Sequence, residues 1–278
     1  MVDGQVSAIA ALPAGYHELF DRIVMVLRNQ EQVAALWLSG SIGRGVADAG
    51  SDLDLIITLR GPADDWLVKA DALSAVLEPI ITVPISSKIW AVTTRGGLRV
   101  DLVVESEADL DTTPFRYRVA VFGPACLIDR IPPADEKAAS PDRDKVRKII
   151  TEFFRQQVIF PAAVVARQDW LLGQEGVHNT RLMLYQLFVE LNQPLPPMGV
   201  KQWSAKLTAD QRAVLVELVP PAAEHQAVIG AMHAVRSAFL TAAHAATDAL
   251  GVDWPHQQDD VVAGYWRANG LDPEGRQV

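Results

Sequence analysis

The chain has 278 residues, 49% of them hydrophobic, with 25 Lys and Arg against 34 Asp and Glu, a formal net charge of −9 and one cysteine. That length and apolar content allow one large or two ordinary domains with filled cores, and the negative balance, without a dense Lys/Arg cluster, argues against a long nucleic acid as substrate. A lone Cys126 in the apolar context FGPACLI excludes an internal disulfide, suits the cytoplasm and is expected to serve packing; no basic start precedes an apolar core at the N-terminus and no apolar run approaches 18 residues, so neither signal peptide nor membrane span is expected.

In chain order, Leu19, Ile23, Val26 and Leu27 fall at helical spacing and predict an amphipathic helix over 16–30. Leu36, Trp37 and Leu38 read as a buried strand that Ser39, Gly40 and Ser41 end in a turn. Only small residues let backbone N–H groups approach an anion closely, and residues 42–46 can continue as a short helix aimed at the same anion, with Arg44 adding positive charge. Asp52 and Asp54 open the next strand. Two residues apart, they leave one face together, while Leu53, Leu55 and Ile57 occupy the other. Paired carboxylates repel, and a divalent ion such as Mg²⁺, bound by one or two carboxylates plus substrate phosphates, removes that penalty.

Residues 63–77 predict a second helix, 80–83 and 89–93 further strands, and Arg95-Gly96-Gly97 a hairpin turn into LRVDLVV at 98–104. Asp101 stands in the middle of that β-branched run, where a charge needs a reason: a third metal ligand, or a cross-strand partner for Arg99 or Arg95. Glu105, four residues on, shares the face of Asp101 in an unbroken strand and is the candidate general base ranked behind it. An edge strand is expected over 119–128. The segment from Ile131 through Asp144 is rich in proline and charge and marks the best domain boundary. Beyond it the pattern is helical, over 146–160, 162–172, 178–191, 202–207, 210–218 and 222–250, with starts at Ser140-Pro141 and Thr208-Ala209-Asp210. Lys201 is the basic residue favoured for gripping a phosphate, with Arg181 and Lys148 behind it. Trp170, Tyr185 and Trp203 are candidates for core packing or for stacking on a base. The histidines show no zinc spacing, and neither G-x-S-x-G nor a P-loop occurs.

Gly40-Ser41, Asp52-Leu53-Asp54 and Asp101 together resemble the motif of the nucleotidyltransferase superfamily that includes DNA polymerase beta. With Gly45, Asp48 and Ser51 the spacer reads G-S-x-x-x-G-x-x-D-x-x-S-D, which is similar to the branch that adenylylates aminoglycosides and lincosamides. The resemblance covers about the first 130 residues. It implies an α+β N-terminal nucleotidyltransferase domain (1–130), a mixed sheet flanked by helices, followed by an all-α helical-bundle domain (145–278). It also implies transfer of a nucleoside monophosphate, foremost AMP from ATP, to a hydroxyl of a small molecule such as an aminoglycoside-type antibiotic, with release of pyrophosphate. Gly40, Ser41, Arg44 and Lys201 would bind the nucleotide. Asp52 and Asp54 would hold one or two Mg²⁺, and Asp101 would complete the metal site or, with Glu105, take the proton. The partners implied are an NTP and a small, cationic acceptor, handled by a cytoplasmic monomer or homodimer. Two alternatives share the same site: a toxin-like or regulatory enzyme acting on a protein or tRNA, and a nucleotide-binding protein without catalysis.

Overall fold

The computed structural model describes residues 8–134, 140–196, 198–199 and 201–271. The chain forms two compact units, one from Met1–Lys137 with Pro196–Gln202 and the other from Ala138–Leu195 with Trp203–Val278.

The first unit is a six-stranded mixed sheet with helices. Its elements are α1 (Ala14–Arg28), β1 (Val33–Leu38), a single-turn α2 (Gly40–Gly43), β2 (Leu53–Leu59), α3 (Asp71–Leu77), β3 (Pro79–Ser86), β4 (Ile89–Thr94), β5 (Arg99–Ser106) and β6 (Val119–Phe122). The strand order is β3-β4-β5-β2-β1-β6; β2 and β5 run parallel and every other pair is antiparallel. All six residues of β1 are buried, because both faces of the central strands are covered. Leu36, Leu38, Leu55, Ile57 and Leu102 pack with Leu19, Phe20 and Ile23 of α1. Ala35, Trp37 and Ile56 pack on the opposite face with Leu110 and Leu127. Edge strand β3 is exposed along its whole length.

Three expectations change here. The helix expected over 63–77 forms only from Asp71, after a 3₁₀ turn at Leu67–Lys69, since Asp65 takes a positive φ of 57° and Ala70 leaves helical geometry at ψ 59°. The strand expected over 119–128 stops at Phe122, where Gly123-Pro124 breaks the ladder and a 3₁₀ turn over Ala125–Arg130 follows. That turn leaves Cys126 exposed, so it serves no packing role.

The second unit is helical: α4 (Arg143–Ile159), α5 (Trp170–Leu191), α6 (Ala209–Glu217), α7 (His225–Leu250) and α8 (His256–Ala268). Phe153 stacks on Phe239 at 3.9 Å in its core, and Phe160 on Trp266 at 5.8 Å. The stretch 162–172 is not a helix of its own. A wide π turn occupies Phe160–Val165, and the Asp169 side chain caps a fresh helix by accepting from Leu172 N. Helix α5 therefore starts earlier than 178. Asp142 rather than Ser140 caps α4, 202–207 contains only a 3₁₀ turn at Ser204–Lys206, and α8 is an additional helix. Thr208 forms a capping box with Gln211, as its position before Asp210 suggests.

Candidate active site

The end of β1 and the start of β2 build the site. Ser39 N donates to the Asp54 carbonyl at 2.9 Å, which ties the turn after β1 to the next strand. Gly40 has φ +56°, and a Cβ at that position would stand 1.7 Å from Asp54 Oδ2. Only glycine lets the turn and the carboxylate share this space. The loop from Arg44 to Ser51 is organised by Asp48, whose Oδ1 accepts from Gly50 N at 2.9 Å and from Ser51 Oγ at 3.2 Å. Parallel pairing of β2 with β5 sets Asp54 directly opposite Asp101.

These residues line an open cleft of about 280 Å³ together with Gly199, Lys201 and Gln202. Lys201 Nζ donates to Asp52 Oδ2 at 2.6 Å, and Gln202 Nε2 to Asp48 Oδ2 at 2.6 Å. Arg99 stands 3.8 Å from Asp52 while donating to the Gly50 carbonyl at 2.7 Å, so it braces the loop and is not the partner of Asp101. Ser41 is buried, and its hydroxyl has no hydrogen-bond partner among the described residues. Among the described residues, the carboxyls of Asp54 and Asp101 make no hydrogen bond or ion pair.

The electrostatics follow from that placement. Burial, then the negative charges of Asp52 and Asp101, push the Asp54 carboxyl up to about 6, with Arg44 and Lys201 only partly opposing. Burial and the Asp52 charge also push Asp101 above the ordinary carboxylate value. At Asp52 burial acts in the same direction, but the Lys201 hydrogen bond, a backbone N–H and the charges of Lys201 and Arg99 outweigh it and hold the group below the ordinary value. Two of the three acids are thus short of counter-charge. All three offer hard oxygen donors, the kind that suits Mg²⁺. The donor set fits such an ion, although among the described residues no three acidic, imidazole or thiol groups already converge on one point.

The structure brings together Gly40, Ser41, Arg44, Asp52, Asp54, Asp101 and Lys201. It does not bring Glu105 to them. Glu105 pairs in register with Thr58, four residues beyond the Asp54–Asp101 pair and therefore about 13 Å along the strand. There it is buried, accepting from Thr58, Thr113 and Arg118. A carboxylate so engaged has no free lone pair aimed at a substrate in the cleft, which removes it from the role of general base. Lys148 is exposed on α4, and Arg181 donates to the Leu215 carbonyl within the helical unit. Tyr185 and Trp203 stack on one another at 4.0 Å, and Trp170 packs edge-on against His225. Arg99 and Gln202 are additions to the site. Arg99 lies at i−2 from Asp101 on the same strand face, a readable signal; Gln202 carries none beyond following Lys201.

Residues 21–122 match the family model described as "Nucleotidyltransferase domain". No curated protein sequence matches the chain significantly. Among solved structures the chain is similar to an aminoglycoside 6-adenyltransferase from Bacillus subtilis, at 11% identity over 92% of this chain and 98% of that one, with a TM-score of 0.44. It is also similar to CdnC of E. coli MS115-1 solved with ATP, at 14% identity over 83% and 92% of the two chains, TM-score 0.27. A third, the Bradyrhizobium diazoefficiens CD-NTase CdnG in complex with GTP, aligns at 13% identity over 92% of each chain, TM-score 0.27. At these identities and scores none of the three bears on the choice of substrate. The match falls on the strands and turn just described, so residues 21–122 form a nucleotidyltransferase domain.

Proposed function

We propose that the protein transfers AMP from ATP to a hydroxyl of a small cationic acceptor of the aminoglycoside class. The observation that carries this reading is the registered pair Asp54–Asp101 beside the Gly40-Ser41 turn, with Lys201 and Arg44 in the same cleft. The turn's backbone N–H groups and the orphaned Ser41 hydroxyl hold the β- and γ-phosphates, and Arg44 and Lys201 add positive charge there. Asp52 and Asp54 are the residues that would hold Mg²⁺. When bound, the ion supplies charge neutralisation at the triphosphate and the leaving pyrophosphate. The acceptor hydroxyl oxygen attacks the α-phosphorus, the bond to pyrophosphate breaks, and Asp101, whose carboxyl has no hydrogen bond among the described residues, takes the hydroxyl proton. Lys201 releases Asp52 to follow the phosphates. A cationic acceptor suits a chain of net charge −9 whose cleft is rich in carboxylates.

The test is to incubate the protein with Mg²⁺, each NTP in turn and a panel of aminoglycosides and lincosamides, reading acceptor mass. A gain of one nucleoside monophosphate, absent with Asp52→Ala, supports the reading. Absence of product across the panel, with metal-dependent transfer to tRNA or to protein instead, contradicts the small-molecule acceptor.

A further inference from the structure

We infer that the buried Glu105–Arg118 pair is a positioning device for the turn at 39–41. This rests on reading that turn as the phosphate contact only for its consequence on nucleotide affinity.

Glu105, Thr58, Thr113, Trp37 and Arg118 form a closed network beneath the second face of the sheet. Trp37 Nε1 donates to Thr58 Oγ1 at 2.8 Å, and that hydroxyl donates onward to Glu105 Oε1 at 3.0 Å. Thr113 Oγ1 donates to Glu105 Oε2 at 3.0 Å. Arg118 Nη1 donates to Glu105 Oε1 at 2.6 Å, with the guanidinium side chain only 1% exposed and stacked over Trp37. Nη2 reaches Glu105 Oε2 at 3.4 Å, and the guanidinium also turns back on its own loop: Nε donates to the Phe115 carbonyl at 2.8 Å, and Nη2 to the same carbonyl and to Thr113 Oγ1. The loop 113–118 is therefore fastened to β5 by charge.

That loop is the backing of the site. Ser39 Oγ donates to the Tyr117 carbonyl at 3.2 Å. A Cβ on Gly43 would stand 2.5 Å from the same carbonyl oxygen, so the single turn of α2 lies in direct contact with it. Two residues after Tyr117, Val119 pairs with Leu38, the residue before Ser39. The path from Glu105 to the turn is thus Arg118, the 115–117 backbone and Ser39, each link a contact described above. A buried ion pair is weak evidence for net stability, since apolar residues of equal volume serve stability as well. What this pair adds is one fixed position for Tyr117, and through it for the turn.

The test uses Glu105→Gln, Arg118→Lys and Ser39→Ala in the full chain, read by amide hydrogen exchange and by calorimetric titration with ATP in Mg²⁺. In the first two variants amides 40–46 are expected to exchange about tenfold faster, because a local opening becomes easier. All three are expected to weaken ATP binding by about tenfold, since a small misplacement of a binding turn is enough for that. Ser39→Ala should do so without a change in melting temperature, and combining it with Arg118→Lys should add nothing, as both act through one link. Loosened 113–118 amides with wild-type rates at 40–46 would overturn the inference. Faster exchange at 40–46 with ATP affinity unchanged supports positioning and instead contradicts the turn as the phosphate contact. Should Glu105→Gln fail to fold, the other two variants carry the test.

Discussion

Lys201 Nζ lies 2.6 Å from Asp52 Oδ2, across 149 residues of sequence, and so places an ammonium ion where a metal or a triphosphate would otherwise meet the acidic group. The side chain is 70% exposed, so the contact contributes little to stability, about 0–1 kcal/mol for a pair of this kind. Lys201→Met is expected to leave the melting temperature nearly unchanged while raising KM for the NTP about tenfold or more, the cost of one charge-assisted bond to phosphate. Titration of the nucleotide-free variant with Mn²⁺ should show tighter binding than wild type, because the competing cation is gone. Unchanged KM would remove Lys201 from the nucleotide site.

Asp54 carries the pH dependence. Its folded-state value of about 6 exceeds the ordinary 3.8, so the native protein binds more protons than the unfolded chain between those values. Stability of the metal-free protein therefore falls as pH rises through about 4 to 6 and stays lower above it. Asp54→Asn removes this penalty. Its melting temperature at pH 7 without metal should exceed that of wild type, by up to about 3 kcal/mol in free energy, and the gain should vanish near pH 4. Turnover should be lost at every pH. Equal stability of the two proteins at pH 7 would show that the carboxylate is not destabilised in the fold.

Gly40→Ala tests the close packing of turn and acid. The positive φ and the overlap with Asp54 Oδ2 force one of them to move. A cost of about 1–3 kcal/mol is expected from the backbone conformation, with turnover reduced about a hundredfold or more because the turn and the carboxylate lose their mutual placement. Near-normal turnover in this variant would mean that the site does not depend on the approach of Gly40 to Asp54.

The core of the helical unit offers a test of its own. Phe239 is fully buried and stacks on Phe153 at 3.9 Å with the rings 7° from parallel. Phe239→Ala should destabilise by about 3–5 kcal/mol, visible as an earlier denaturant midpoint, a result that a loosely packed core would not give.

The acidic triad and the Gly-Ser turn were legible because strand periodicity fixes which side chains share a face: Asp54 and Asp101 each interrupt an apolar run, and the parallel register then sets them opposite one another. Glu105 shows the limit of the same rule. Period two assigns a face but not a distance along it, and four residues of strand carried Glu105 out of the cleft to Arg118, a partner no local pattern announces. In the helical half, apolar spacing found most helices, while the stop at Val165 and restart at Trp170 depended on the cap from Asp169, a single side chain in a run that otherwise reads as continuous. Lys201 stood out as a lone cation after a proline pair. Its membership in the first unit rests on contacts between residues far apart in sequence, with Asp52 for Lys201 and with Asp48 for Gln202.

The most direct measurement of the central claim is a crystal structure with Mn²⁺ and a non-hydrolysable ATP analogue, using the anomalous signal to place the metal. The account predicts a manganese peak bound by carboxylate oxygens of the Asp52, Asp54 and Asp101 group, with the β- and γ-phosphates against the Gly40-Ser41 turn and Lys201 moved from Asp52 onto the triphosphate. A nucleotide bound with its phosphates elsewhere, or a metal that touches none of the three aspartates, would contradict it.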